Sequence, residues 1–294
     1  MEITVEEEFN KRLVEQYLKY GSVDEVYRAN RDNLHISYAG FQRVLDRWGV
    51  VKAAGPNNKF SEIVGFMAHL IKDNIAIEEL YRKMPPSFQT STATIYRVLS
   101  YVKEGITRRI GTALVLTPYN SKEKILLGHD VSTPRIELGK PYGSLSLPMG
   151  YSSKEDDRKT KILRVLQQEV FTREVIDGNF PYSLIPENPL PFMYLDIADV
   201  RVAVFAIQLP KKFSQLKRFS SFKLKSYQYF SLDEMVRLDE KHNFRAGMKE
   251  AAVGYKKYLE LINRNLVTNP LQMKSILNKE LATVTLDIED SQLV

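Results

Sequence analysis

Residues 150–172 read GYSSKEDDRKTKILRVLQQEVFT, and the short apolar run SLSLPM occupies residues 144–149 just before them. The run is typical of a strand, and Gly150 follows it at the start of a turn. The acidic triplet EDD at residues 155–157 then precedes a segment with the apolar spacing of an amphipathic helix. A loop that leads into a helix N-terminus suits phosphate and metal ions. The stretch therefore predicts a strand, loop and helix in a ligand-binding domain.

The same stretch resembles the Nudix box, G-x5-E-x7-R-E-U-x-E-E-x-G-U, in which U is an apolar residue. Without any gap, Gly150 matches the first glycine, Asp156 the loop acid, Arg164 the arginine and Glu169 the last paired glutamate. The resemblance implies that Asp156 and Arg164 brace the loop against the helix by a charge-assisted hydrogen bond. It also implies that the helix glutamates of the family bind the Mg²⁺ that activates water, and that the domain is an α/β/α sandwich with a mixed sheet.

Three positions depart from that pattern. Val165 replaces the glutamate that follows the arginine, Gln168 replaces the first paired glutamate, and Phe171 replaces the second glycine. Positions 165, 168 and 169 are three and four residues apart, so we expect them on one face of the helix. One carboxylate, Glu169, is a poor site for Mg²⁺, which takes several oxygen ligands. We therefore expect a residual catalytic or metal role for Glu169 at most, no required cofactor, and Mg²⁺ or Mn²⁺ only if hydrolysis is retained.

The composition is that of a folded protein long enough for two or three domains: 294 residues, ordinary apolar and charged fractions, and a net charge of +6. The chain has no cysteine, which excludes disulfides and thiolate chemistry. No apolar run approaches the length of a membrane span, and the acidic N-terminus MEITVEEEF does not resemble a targeting peptide. A cytoplasmic protein without a membrane partner is the expectation.

The N-terminal segment, residues 1–60, has the pattern of three short helices. Ser22 is expected to cap the second helix, a polar turn leads into the third, and glycines follow the first and third, which gives the proportions of a helix-turn-helix unit. The start of the third helix would enter the major groove of DNA. The residues expected to contact double-stranded DNA there are Tyr38, Gln42, Arg43 and Arg47.

A second helical unit is predicted at residues 61–106, with Thr92, Thr94, Tyr96 and Arg97 as its groove-facing candidates. Residues 1–106 carry 14 Lys and Arg against 14 Asp and Glu, and this balance counts against DNA binding. Small helical triplets also serve as dimerisation or docking modules. DNA binding and a dimerisation or docking role both stay open. The second alternative includes a homodimer.

From residue 107 the periodicity changes to that of strands, including the runs IGTALVLTP, KEKILLGHD and RVAVFAIQLP. An amphipathic helix is predicted at the end of this region, which extends to residue 265. The fold class is thus α+β, with tandem helix-turn-helix-like units before the Nudix-like domain. The tail, residues 266–294, suggests a short helix near LQMKSILNKEL and a final segment that adds an edge strand or reaches a partner.

Residues 211–225 contain six Lys and Arg and no acid, with three phenylalanines between the cations. This composition suits phosphates and stacked bases. The alternative is a solvated loop whose phenylalanines pack into the core. The residues expected to contact a nucleotide-like ligand are Gly150, Asp156, Arg164, Gln168, Lys217 and Arg218.

Three functions follow from these patterns. The first is a ligand-responsive DNA-binding regulator whose degenerate Nudix-like domain binds a nucleotide diphosphate derivative, since the chain resembles helix-turn-helix repressors with a Nudix-like sensor of ADP-ribose. The second is an active metal-dependent pyrophosphohydrolase that recruits Glu155, Asp157 or Asp199 beside Glu169. The third is a scaffold whose helices dimerise and whose sheet binds protein.

Overall fold

The computed structural model describes residues 5–30, 34–52, 109–134, 139–197, 200–237, 243–266, 269–276 and 278–279. The second predicted helical unit, residues 61–106, lies outside these ranges, together with Thr92, Thr94, Tyr96 and Arg97. Asp199 and the segment after residue 279 also lie outside them. Within the described ranges, no helix is both long enough and apolar enough to cross a membrane.

The N-terminal part contains the three predicted helices, α1 (Val5–Tyr20), α2 (Val23–Ala29) and α3 (Tyr38–Arg47). Two of them begin where the sequence predicts, because Ser22 accepts a hydrogen bond from Glu25 N at 3.1 Å and Ser37 accepts one from Gly40 N at 3.1 Å. Their apolar faces pack against one another. The buried side chains include Leu13, Val14, Tyr17, Leu18, Phe41, Val44 and Leu45.

The described strands form two sheets. One has the order β4–β1–β6–β5–β8, with β1 (Arg109–Thr117) parallel to β6 (Val200–Gln208) at its centre. The other has the order β3–β2–β7 and is antiparallel. The remaining strands are β2 (Lys124–Asp130), β3 (Ser144–Ser146), β4 (Met149–Ser152), β5 (Met193–Ile197), β7 (Leu224–Ser231) and β8 (Leu271–Lys274).

The predicted strand before the box and the helix after its acidic loop are confirmed, but the turn predicted at Gly150 was wrong, because Gly150 lies in β4 and pairs with Thr112 of β1. The helix α4 (Arg158–Glu169) begins after Asp157, whose side chain accepts a hydrogen bond from Thr160 N at 2.7 Å. Three further helices, α5 (Thr172–Ile176), α6 (Leu232–Arg237) and α7 (Met248–Asn263), complete the described helical elements of this region.

Successive side chains along each strand of the central sheet point to opposite faces, so the sheet contributes to two cores. Helices cover both faces. On β1, Leu114 and Leu116 face a core that also contains α4 and the buried side chains of α1–α3. Ala113 and Val115 face the opposite core, which contains α7. The N-terminal helices and the Nudix-like domain therefore share one hydrophobic core.

The segment LQMK was predicted within a short helix, and this prediction was wrong. Residues 271–274 form β8, which pairs in parallel with β5 at the edge of the central sheet. Backbone pairing with an open strand edge outweighs the local helical preference of such a short segment. The sheet thus extends beyond residue 265, where the sequence places the end of the domain.

Candidate functional site

A cavity of ≈ 410 Å³ opens beside the C-terminal part of α4. Box residues Gly150, Arg164, Gln168 and Glu169 line it, as the resemblance leads one to expect. Its charge is unbalanced. The described lining residues include five cations, Lys19, Lys140, Arg164, Lys223 and Arg245, against two carboxylates, Asp130 and Glu169. Arg164 is paired with Asp156 outside the lining, so the other four cations exceed the two carboxylates by two, which favours an anionic ligand.

The Glu169 carboxylate is paired with a lysine. Lys223 Nζ lies 3.0 Å from Glu169 Oε1 and 3.2 Å from Gln168 Oε1, so one ammonium group binds both side chains. The Glu169 side chain is only 5% exposed, whereas that of Lys223 is 34% exposed and accessible from the cavity. Tyr227 donates a hydrogen bond to the carbonyl of Glu169, which holds this end of α4 against β7. Burial raises the pKa of the Tyr227 phenol, so it stays protonated as a donor.

A second ionic cluster lines the cavity at the end of β2, where Asp130 pairs with Leu224, the residue after Lys223. The buried Asp130 carboxylate lies 3.3 Å from Lys140 Nζ and 3.6 Å from an Arg245 guanidinium nitrogen. Ser132 Oγ also donates to it at 2.6 Å. Burial lowers the pKa of the Lys140 amine, while the neighbouring Asp130 opposes that shift. Two cations around one carboxylate leave positive charge for a ligand.

The loop before α4 is braced as the resemblance implies. Two Arg164 guanidinium nitrogens lie 2.5 and 3.0 Å from the two carboxylate oxygens of Asp156, a bidentate pair. Ser153 N donates to the same carboxylate at 2.7 Å. Burial tends to raise the pKa of Asp156, but the hydrogen bonds from Arg164 and Ser153 outweigh it, and the pKa lies below its ordinary value.

Hydrogen bonds hold one face of α4 against the segment that follows α3. Gln167 is buried, and its amide accepts a hydrogen bond from Val51 N at 2.8 Å and donates one to Gly49 O at 2.7 Å. Gln168 Nε2 donates to Val51 O at 3.4 Å, and Arg164 Nε donates to the carbonyl of residue 52 at 2.7 Å. Since a carboxylate cannot donate to a carbonyl, an amide at position 168 suits this docking better than a glutamate.

The expectation that residues 165, 168 and 169 form one metal-facing surface was wrong. Val165 is 1% exposed and belongs to the core shared with α1–α3, and it does not line the cavity. The N-terminal helices cover this side of α4. An apolar side chain at 165 is therefore explained by packing.

The residues around Glu169 do not fit a divalent ion. Among the described residues, no group of three or more His, Asp or Glu side chains converges on one point. Asp157, considered as an extra ligand, caps α4 instead, and Glu155 is exposed. A magnesium ion takes several oxygen ligands, and here the Glu169 carboxylate already binds an ammonium group.

Lys217 and Arg218 do not line this cavity. Arg218 lies 3.4 Å from the carboxylate of Glu174. The neighbouring Phe213 and Phe219 pack against the buried Phe171, with ring centroids 6.0 and 5.8 Å apart. These phenylalanines thus pack into the core, as the alternative of a solvated loop with packed phenylalanines expects. Phe171, at the position of the box glycine, lies at the centre of this aromatic cluster.

The candidate DNA-contacting residues of the first unit differ in their surroundings. Tyr38 is 50% exposed, and Arg43 is exposed on the outer face of α3. Gln42 is partly buried, and Arg47 lies 3.7 Å from Glu6 of α1. Tyr38, Arg43 and Arg47 are therefore accessible, and Gln42 is the least accessible member of this set.

Sequence reasoning missed Lys140, Arg245 and Asp130, and it did not single out Lys223 from the basic run. The first three are distant from the box in the chain and carry no local motif. Lys223 directly precedes β7, and β7 pairs with β2. A correct prediction of this pairing would have indicated that Lys223 lies near the box. Only the strand pairing makes that proximity visible.

No family model matches the chain, and no curated protein matches it. Solved structures are similar to about half of it. A NUDIX hydrolase from Nitrosomonas europaea shares 15% identity over 57% of this chain and 78% of its own, with a TM-score of 0.37. An ADP-ribose pyrophosphatase from Streptococcus suis shares 16% identity over 57% of this chain and 99% of its own, with a TM-score of 0.35. A MutT protein from Methanosarcina mazei shares 12% identity over 53% and 95%, with a TM-score of 0.36.

The order of strand, loop and helix at residues 144–169, together with the Asp156–Arg164 pair, is the arrangement that the box resemblance implies. The chain thus combines three N-terminal helices with a Nudix-like α+β domain.

Proposed function

We propose that the Nudix-like domain binds a nucleotide diphosphate derivative through lysine and arginine side chains and does not hydrolyse it. The observation that carries this proposal is the ammonium group of Lys223, which lies between Gln168 Oε1 and Glu169 Oε1. In the family that the box resembles, helix carboxylates hold a divalent cation that neutralises the diphosphate. A lysine ammonium supplies positive charge at that end of the helix but does not generate a metal-bound nucleophile.

The charges around the cavity support the same ligand class. Lys140 and Arg245 flank Asp130 and line the same cavity as Lys223, so three cations from separate segments of the chain border it. Arginine and lysine are the usual protein partners of phosphate oxygens, by bidentate hydrogen bonds and as point charges respectively. A diphosphate carries enough negative charge to balance the excess of the lining.

The proposed output of ligand binding is a change in DNA affinity, with the N-terminal helices as the DNA-binding part. Gln168 supports such a link, because its amide contacts Lys223 at the cavity and Val51 O in the segment after α3. When a ligand phosphate binds the Lys223 ammonium group, Gln168 Oε1 loses the hydrogen bond that it accepts from Lys223. The free energy that couples two such sites is typically about 1–3 kcal/mol, or roughly 5–150-fold in affinity.

A gel-shift titration tests the DNA-binding part. We expect binding to double-stranded DNA at low salt that weakens as salt rises, and that changes when ADP-ribose is added. Arg43→Ala should weaken binding, while Arg12→Ala, an exposed arginine on α1, serves as the matched control. Absence of salt-dependent DNA binding would remove the regulator from the proposal.

A thermal-shift panel of nucleotide sugars, dinucleotides and nucleoside diphosphates tests the ligand-binding part, since a ligand that binds the native state raises the melting temperature. We expect stabilisation in EDTA. Product formation from any of these compounds with Mg²⁺ or Mn²⁺ would instead support the pyrophosphohydrolase.

A further inference from the structure

The C-terminal end of α1 reaches the mouth of the same cavity. Lys19 and Tyr20, the last two residues of this helix, line it together with Gln168, Glu169 and Lys223. Tyr20 is 42% exposed, so part of its ring is open to solvent at the cavity. Two side chains of the N-terminal helices thus belong to the binding site of the Nudix-like domain.

The position of this helix end is fixed by packing. Tyr17 and Leu18, one turn earlier, are buried in the core that α1 shares with α4. Lys11 Nζ lies 3.8 Å from the Asp177 carboxylate, and Trp48 Nε1 donates a hydrogen bond to Ile176 O at 3.4 Å. The N-terminal helices are therefore held to the domain at several points.

The surroundings of Tyr20 differ from those of the other tyrosine at the cavity. Tyr151 already accepts a hydrogen bond from Arg109 at 2.8 Å, and the Arg109 guanidinium lies 5.0 Å from its ring centroid. Lys19 Nζ lies 5.3 Å from the Tyr20 ring centroid, and a single cation covers one face of a ring. The second face of the ring is the one on which a flat group of a ligand would stack.

We infer that the ligand carries an aromatic ring beside its phosphates, that this ring stacks on Tyr20, and that Lys19 binds a phosphate oxygen. This inference rests on the proposed function and deepens it, because it assigns the residue that holds the base and a further residue that binds a phosphate. It also makes the N-terminal helices a direct part of the ligand site. A bound nucleotide then connects α1 to α4 and to Lys223.

Calorimetric titration of the full chain in EDTA, with ADP and with inorganic pyrophosphate as probes, tests this assignment. Removing an aromatic stacking partner typically weakens base binding by about tenfold or more. We expect Tyr20→Ala to weaken ADP binding by about that factor and to leave pyrophosphate binding unchanged. Tyr20→Phe should bind ADP as the native chain does, and Lys19→Ala should weaken both probes. Tyr119→Ala, an exposed tyrosine outside the cavity, is the matched control.

Equal ADP affinity of Tyr20→Ala and the native chain would overturn the inference and leave the proposed function intact. A native chain that binds pyrophosphate but not ADP would overturn the inference and the nucleotide part of the proposed function. A native chain that binds neither probe would overturn both. If Tyr20→Ala lowers the melting temperature, Tyr20→Leu keeps the apolar bulk without an aromatic face and carries the same test.

Discussion

Lys223 Nζ lies 3.0 Å from Glu169 Oε1, at the end of α4 where the box pattern places a metal-binding carboxylate. The carboxylate is buried, and the ammonium faces the cavity. This pair gives the site a protein-supplied cation. It also gives the buried Glu169 carboxylate a partner within the chain.

The first prediction concerns the stability of this pair. Lys223→Met leaves the buried Glu169 carboxylate without its partner, which should lower the free energy of unfolding by about 1–3 kcal/mol. Glu169→Gln in the same chain removes the unpaired charge and should restore most of the loss. Urea unfolding of the two single variants and the double variant gives the coupling energy. Additive effects would show that the two side chains do not interact.

The second prediction concerns the docking of α4. Gln167→Ala removes the partners of Val51 N and Gly49 O and should lower the free energy of unfolding by roughly 1–3 kcal/mol, measured by urea denaturation. Lys159→Ala, an exposed residue on the same helix, should change it by no more than about 0.5 kcal/mol. Equal stabilities of the two variants would contradict the described docking.

The third prediction concerns Val165. The sequence pattern alone favours Val165→Glu with Gln168→Glu as a way to create a Mg²⁺ site. In the structure Val165 is buried in the shared core, so Val165→Glu should cost roughly 3 kcal/mol or more, as an unpaired buried charge does. Thermal unfolding with and without Mg²⁺ checks this. A variant as stable as the native chain that is further stabilised by Mg²⁺ would contradict it.

The fourth prediction concerns pH. The pKa of Asp156 lies below its ordinary value of 3.8 in the folded chain, so the unfolded chain binds the proton more tightly. Its contribution to stability is therefore present above about pH 4 and is lost as the pH falls through the lower, folded-state pKa. Asp156→Asn should be less stable than the native chain at pH 7.

The difference between the two chains should shrink as the pH falls below 4. Asp233→Asn, which changes an exposed carboxylate on α6, should follow the native pH profile and is the control. Unfolding curves at pH 7, 5, 4 and 3 provide the measurement. A constant difference across this range would contradict the assigned role of the Asp156 charge.

Local patterns account for much of what was predicted correctly. The cap at Ser22 lies three residues from its partner, and Asp156 and Arg164 are eight positions apart. Interactions of this range are encoded in short segments, so spacing and the box resemblance were enough to find them. The helix-turn-helix interpretation of these helices stays a prediction.

Long-range packing accounts for what was missed. Gln167 and Gly49 are 118 positions apart, and Lys223 lies 54 positions from Glu169. Their contacts depend on how the N-terminal helices cover α4 and on the pairing of β7 with β2. The same packing turned Val165 away from the cavity and made β8 from a segment with helical preference. No spacing rule within one segment contains this information.

Calorimetric titration of the full chain with ADP-ribose, in EDTA and in Mg²⁺, tests the central claim most directly. We predict saturable binding in EDTA, an affinity that Mg²⁺ does not improve, no hydrolysis product after prolonged incubation, and at least tenfold weaker binding by Lys223→Met. Binding that requires Mg²⁺, with release of AMP, would contradict the account.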